Sequence, residues 1–326
     1  AEKKGVNFTF VTLKYNQPCG GSPRWSALRF RTALPHCASA LRFRMAFLAE
    51  ADKIWYNLRK TRRFYMLYGA IIGDIAGSRF EFNNYRGKDF EIFSEDCFFT
   101  DDTVMTLAVA KAILNCAGDY SRLEDAAAFT MREVGTHYPG CGYGGRFNMW
   151  MFSDMPAYNS FGNGSAMRVS AAAYAAESRE QTKELARAVT AVTHNHPEGI
   201  KGAEAVAVLI YDALHGADMK ALRGVAESYY SLNFTIDGIR PSYAFNETCQ
   251  NTVPQAIEAF LESASFEDAI RIAVSVGGDS DTLAAITGSI AEAYYGVPEY
   301  MKKKAEGYLD TRLLNILKEF NKKFAR

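Results

Sequence analysis

An all-α fold, one compact helical domain, is what this sequence predicts, and three observations predict it. From residue 66 onward apolar residues recur at i, i+3 and i+4, the period of a helix, and not in alternation. Convincing period-2 segments are absent outside residues 1–65. Near the C-terminus, residues 282–295 are small and apolar all round (Ala284, Ala285, Gly288, Ser289, Ala291, Ala293), as a central helix must be. Its small side chains let neighbouring helices approach closely.

The elements follow in order. At the start, Gly69, Gly73 and Gly77 stand at i, i+4 spacing and make a face that packs backbone to backbone. Residues 103–114 place Val104, Leu107, Ala108, Lys111 and Leu114 on one side, with a stop near Gly118. Amphipathic helices are predicted at 123–135 and 181–193. Pro197 in a first-turn position opens a helix over 198–215, and Gly216 sits where a C-terminal glycine belongs. Helices at 255–264 and 266–276 lead to the central one, which ends at Gly296 and Pro298, and 313–324 closes the chain.

Composition removes several classes of function. The chain has 326 residues, 48% hydrophobic and 23% charged, enough for a sizeable core and unlike a disordered chain. Its longest apolar run, 205–210, falls far short of the ~18 residues that span a bilayer. The six cysteines form no C-x-x-C pair, which excludes a zinc ribbon and fits free thiols in a reducing cytoplasm. The zero net charge points to no nucleic-acid or membrane partner, yet it conceals a split. Residues 1–65 hold thirteen Lys or Arg against three acids, a net of +10; because the whole chain balances 37 against 37, residues 66–326 carry −10. Within the basic part Ser-Ala-Leu-Arg-Phe-Arg at 26–31 returns unchanged at 39–44. Two copies at a 13-residue period build no core. The expectation is therefore a basic extension over 1–65, non-native, mispredicted or targeting, ahead of a catalytic domain over 66–326.

Two Gly-rich stretches, 139–146 and 160–168, interrupt the helices and read as loops. Such loops bring backbone N–H groups close to a ligand, often a phosphate; flexible surface connections are the plainer alternative. The sharpest chemistry lies in Thr-Asp-Asp-Thr at 100–103 and Gly-Gly-Asp-Ser-Asp-Thr at 277–282. Each opens a helix, where Asp and Thr serve as caps. A cap needs one side chain, however, and each segment supplies two acids and a Thr. Four carboxylates near buried helix starts repel one another unless a cation neutralises them, and hard oxygen ligands suit Mg²⁺ or Mn²⁺. Spacing alone leaves two independent caps as the alternative. Glu81 falls just beyond the first helix, where a carboxylate faces a cleft or simply solvent. Asp74, inside an apolar helix, reads as a hydrogen-bonded structural acid. His194-Asn195-His196 before Pro197 reads as a turn more readily than as a ligand pair.

Together these segments resemble the ADP-ribosylglycohydrolase family. The motifs come in chain order: G-D-I-A-G-S-R-F-E at 73–81, T-D-D-T at 100–103, G-N-G-S-A-M-R at 162–168, H-P-E at 196–198, G-G-D-S-D-T at 277–282, with A-Y-Y-G at 293–296. The resemblance covers 66–326 and none of 1–65. It implies an orthogonal multi-helix bundle with a two-metal centre, usually Mg²⁺ and in some members Mn²⁺. Thr100, Asp101 and Asp102 would bind the metals from one side and Asp279, Asp281 and Thr282 from the other. Glu81, with Asp101 and Asp102, would serve catalysis. Ser165, Met167 and Arg168, in the loop with Gly164, would hold the distal ribose and phosphates; Gly142, Gly144 and Gly145 would form a second phosphate-facing loop. His196 would lie near the adenosine. Ser280 and Thr103 would steady the carboxylates from behind.

The implied function is a metal-dependent glycosidase releasing ADP-ribose from a modified acceptor, with cleavage at C1″ through an oxocarbenium-like state. Its substrate would be an ADP-ribosylated protein or a small ADP-ribosyl compound, and the enzyme a cytoplasmic monomer. Two rival readings remain: a hydrolase of a free ADP-ribose derivative or other ribosyl nucleotide, and a non-catalytic ADP-ribose-binding relative.

Overall fold

The computed structural model describes residues 66–324; the basic segment 1–65 and the expectations attached to it lie outside the described residues. Among these residues every regular element is helical, and one isolated antiparallel bridge, Gly162 with Thr248, is the sole β-type pairing. The helices are α1 (Tyr68–Ser78), α2 (Asp101–Asn115), α3 (Leu123–Gly135), α4 (Gly145–Met151), α5 (Gly164–Met167), α6 (Ser170–Ala175), α7 (Arg179–Ala191) and α8 (Pro197–Leu214). They continue with α9 (Met219–Tyr229), α10 (Ile236–Ile239), α11 (Cys249–Leu261), α12 (Phe266–Val276), α13 (Ser280–Tyr295), α14 (Glu299–Glu306) and α15 (Thr311–Phe324).

α13 is the predicted central helix. It is buried from Ser280 through Ala293 and packs along α1, with α12, α11 and α8 around it. The glycine stripe of α1 explains how close the two helices lie. A β-carbon on Gly69 would sit 2.1 Å from the Gly288 carbonyl oxygen, and one on Gly77 would sit 2.4 Å from Asp281 Cα. Contact at that range is between backbones, so any side chain there would force the helices apart. The N-terminus of α1 has no cap of its own, since Leu67 offers none. Glu292 of α13 supplies it across the interface, accepting from Tyr68 N (3.2 Å), Gly69 N (3.0 Å) and Tyr174 Oη (3.2 Å).

Several expectations are corrected. α11 begins at Cys249, not at 255, and runs through Pro254. Pro254 has no N–H to give the Gln250 carbonyl its helical bond, and Gln250 is an exposed residue. The two Gly-rich stretches are not wholly loops: α4 starts at Gly145 and α5 at Gly164. Helices α6, α9, α10 and α14 also form where no periodic signal was read.

Candidate functional site

The C-terminal end of α1 and the N-terminal ends of α2 and α13 meet, because α1 lies on α13 and carries the acid that anchors α2. That acid is Asp74. Its carboxylate accepts from Thr100 N (2.9 Å), Thr100 Oγ1 (2.7 Å) and Thr103 N (3.0 Å), so one helix caps another. Burial raises its pKa to about 6 although these bonds pull the other way. Asp74 is thus the structural acid that its apolar surroundings predicted.

A cleft of about 390 Å³ opens over this junction, and Glu81, Asp101, Asp102, Asp279, Asp281 and Thr282 all line it. Carboxylate oxygens of Glu81, Asp279 and Asp281 lie within 4.8 Å of one another. Thr282 Oγ1 donates to Asp102 Oδ2 (3.2 Å), which joins the two acidic motifs directly. Asn163 Nδ2 donates to Asp279 Oδ2 at 2.6 Å and leans on Thr252 Oγ1 at 3.3 Å. The carboxyls of Asp101, Asp102 and Asp281 are pushed well above the usual range, first by burial and then by neighbouring carboxylates. Burial, then the charge of Asp279, lifts Glu81 to about 7. Asp102 Oδ1 and Asp281 Oδ1 are buried with no hydrogen-bond partner. Two orphaned carboxylate oxygens in a crowd of acids are the donor set a hard divalent cation needs, and the residues fit one.

The same cleft is also lined by cationic side chains. Arg168 is fully buried, and among the described residues no carboxylate is ion-paired with it, although the Asp101 charge acts on it. Its Nη2 donates to Thr193 Oγ1 at 2.7 Å, and Thr193 lies 2.7 Å from His194 Nδ1. Burial lowers the guanidinium to about 10 and, with Arg168 alongside, holds His194 well below its usual pKa, so the imidazole is neutral. With Thr193 accepting from Arg168 and donating to Nδ1, the ring proton rests on Nε2, which faces Gly162 and Gly164. A buried cation that no described carboxylate pairs with directly, lining a cleft, is suited to an anionic ligand. Arg146 lies over the Tyr158 ring (5.1 Å), and both line the same cleft.

The structure brings most of the predicted residues to this cleft, but not all. Gly142, Gly144, Gly145, Gly164, Met167 and Arg168 line it. Gly142, at φ +99°, passes so close that a β-carbon would meet Asp101 Oδ1 at 3.0 Å. Thr100 does not line the cleft: its hydroxyl donates to Asp74 and accepts from Asp102 N at 3.3 Å, as the N-cap of α2. Ser165 turns its hydroxyl to the Gly199 carbonyl (2.9 Å), away from the cleft. His196 caps α8 through Nδ1 and packs on Phe161 at 5.2 Å. Ser280 donates to the Gly278 carbonyl (3.3 Å), so it steadies the turn and not a carboxylate.

Asn163, Tyr158, Phe245 and Glu247 line the cleft without having been singled out, and His194, weighed only as part of a turn or a ligand pair, lines it too. For Asn163 a signal existed inside Gly-Asn-Gly-Ser, and His194 stood beside His196. Phe245 and Glu247 come from a loop with no motif, drawn in by the bond from Asn163 N to the Glu247 carbonyl (2.7 Å).

Comparison with known proteins identifies the family. The ADP-ribosylglycohydrolase family profile matches residues 57–325. ADP-ribosylhydrolase ARH3 of Homo sapiens is 26% identical, over 76% of this chain and 90% of its own length. ADP-ribosylarginine hydrolase Tri1 of Pseudomonas putida (strain GB-1) is 26% identical over 73% of each chain. A solved structure, an ADP-ribosylglycohydrolase-related protein complex, superposes with a TM-score of 0.58 at 25% identity, covering 81% of this chain and 99% of that one. The chain belongs to the ADP-ribosylglycohydrolase family and is a glycosidase.

Proposed function

We propose that this enzyme hydrolyses, with Mg²⁺, the glycosidic bond between ADP-ribose and a modified protein side chain, and that residues 66–326 are its catalytic domain. The observation that carries the reading is the acidic cluster itself. Glu81, Asp279 and Asp281 converge within 4.8 Å in a cleft that Asp102, with its orphaned Oδ1, and the buried Arg168 also line. Asp101, Asp102, Asp279 and Asp281, with Glu81 and Thr282 beside them, would hold the cations. Bound Mg²⁺ supplies positive charge for the ribose hydroxyls and makes a nearby water more acidic.

The chain's own residues do the rest. Arg168 and the Nε2–H of His194 grip the diphosphate and set the distal ribose over the acids. The backbone at Gly142, Gly144 and Gly164 approaches without side chains in the way. Glu81, half-buried and open to the cleft, passes a proton between the attacking water and the acceptor atom that leaves C1″. Thr282 and Asn163 keep Asp102 and Asp279 in place while charge develops. The described cysteines Cys97, Cys116, Cys141 and Cys249 are all free, which supports a reducing, cytoplasmic setting.

Substituting Asp279→Ala tests the reading. It should abolish Mg²⁺ binding and ADP-ribose release while the far-ultraviolet circular dichroism stays helical; retained turnover would refute it.

A further inference from the structure

Glu81 sits in a stretch, residues 79–96, that follows α1 without regular structure. Something other than a helix must therefore hold its carboxylate beside Asp279. Asn84 is placed to do so. Its Nδ2 lies 2.9 Å from the Phe80 carbonyl, 2.9 Å from the Glu81 carbonyl and 3.0 Å from the Gly278 carbonyl, sharing its two hydrogens among three acceptors. Its Oδ1 accepts from Gly278 N at 2.6 Å. One amide thus grips the backbone of Glu81 and both polar groups of the residue directly before Asp279.

Arg86 reinforces the same junction. Its Nη1 donates to the Val276 carbonyl (2.9 Å) and to that of Arg240, and its Nη2 donates to the Tyr243 carbonyl (2.6 Å). The two glycines of the Gly-Gly-Asp-Ser-Asp-Thr motif make room for this. Both have positive φ, +78° and +73°; a β-carbon on Gly277 would sit 3.1 Å from Arg86 Cζ and 3.2 Å from Asn84 Oδ1. A side chain at 277 would push the clasp off the backbone it holds.

We infer that Asn84 is a positioning residue for the reaction, setting Glu81 against Asp279 through backbone bonds without lining the cleft. The inference rests on the reading that Glu81 takes part in the reaction. Misplacement of a catalytic group by about 1 Å can cost on the order of 100-fold in rate, so losing the clasp should register in kcat.

The test is a double-mutant cycle with Asn84→Ala and Glu81→Gln, read by single-turnover release of ADP-ribose at enzyme excess, with KM, Mg²⁺ affinity and Tm measured alongside. Asn84→Ala should lower kcat by at least tenfold, with KM and Mg²⁺ affinity changed less than about threefold. In the Glu81→Gln background the same substitution should cost less than twofold, because its target is gone. Asn84→Asp keeps the acceptor for Gly278 N and loses the amide donor. It should fail to rescue kcat, and it serves as the second variant should the alanine protein fold poorly. Equal losses in both backgrounds, or an unchanged kcat for Asn84→Ala while Glu81→Gln is impaired, would overturn the inference alone. Full activity of Glu81→Gln would overturn the reading beneath it.

Discussion

Gly73 of α1 and Ala284 of α13 are in backbone contact: a β-carbon on residue 73 would lie 2.0 Å from the Ala284 carbonyl oxygen. This contact sets the site, because Asp74 leads from α1 to α2 and Asp281 opens α13 one turn before Ala284. Gly73→Ala gains up to about 1 kcal/mol of helix propensity. Against that stands an overlap with backbone that no rotamer relieves, costing on the order of 1–3 kcal/mol or more. The overlap wins. Calorimetry should show a lower Tm for Gly73→Ala; an unchanged or raised Tm would mean that the helices are not held this tightly.

Among the described residues Asn163 is the one side-chain amide that donates to a cluster carboxylate, at 2.6 Å from Asp279 Oδ2. Partners behind metal ligands typically contribute 10–100-fold to affinity when they orient the ligand. Asn163→Ala should weaken Mg²⁺ binding by about that factor in isothermal titration calorimetry, with the helical spectrum retained. Undiminished affinity would show that Asp279 needs no orientation from behind.

The acids also predict how the cation and the proton compete. With Glu81 lifted to about 7 and Asp101, Asp102 and Asp281 raised above their usual range, the cation-free fold binds protons that the unfolded chain has already released. Between pH 6 and 8 the native state therefore holds more protons than the unfolded one, and stability in EDTA falls as pH rises. A cation reverses the trend by taking the protons' place. Mg²⁺ should raise Tm more at pH 8 than at pH 6, with proton release on binding visible as a buffer-dependent heat. Equal Tm gains at both pH values would contradict this account of the cluster.

How much of this was legible depended on length and on motif. Phe266–Val276 and Leu123–Gly135 form over the residues that their periodicity marked, because each spans three turns with one buried face. Gly164–Met167, Ser170–Ala175 and Ile236–Ile239 are too short to display a 3.6-residue period at all. The acids were legible because helix starts concentrate them into short motifs, and Gly69, Gly73 and Gly77 announced their packing through spacing. Thr100, Ser165 and His196 sit within such motifs but turn to caps and carbonyls, since a motif fixes a backbone and not the direction of each side chain. Asn84 and Glu247 reach the site or its supports through loop contacts far apart in sequence, which no local pattern encodes.

The central claim is metal-dependent release of ADP-ribose, and one assay tests it most directly. ADP-ribose release would be followed from arginine-linked, serine-linked and other ADP-ribosylated substrates, each with Mg²⁺ and with EDTA. The account predicts release from one linkage that EDTA abolishes and Mg²⁺ restores, which would also name the acceptor. Release untouched by EDTA, or silence across the panel from protein that demonstrably binds Mg²⁺, would contradict it.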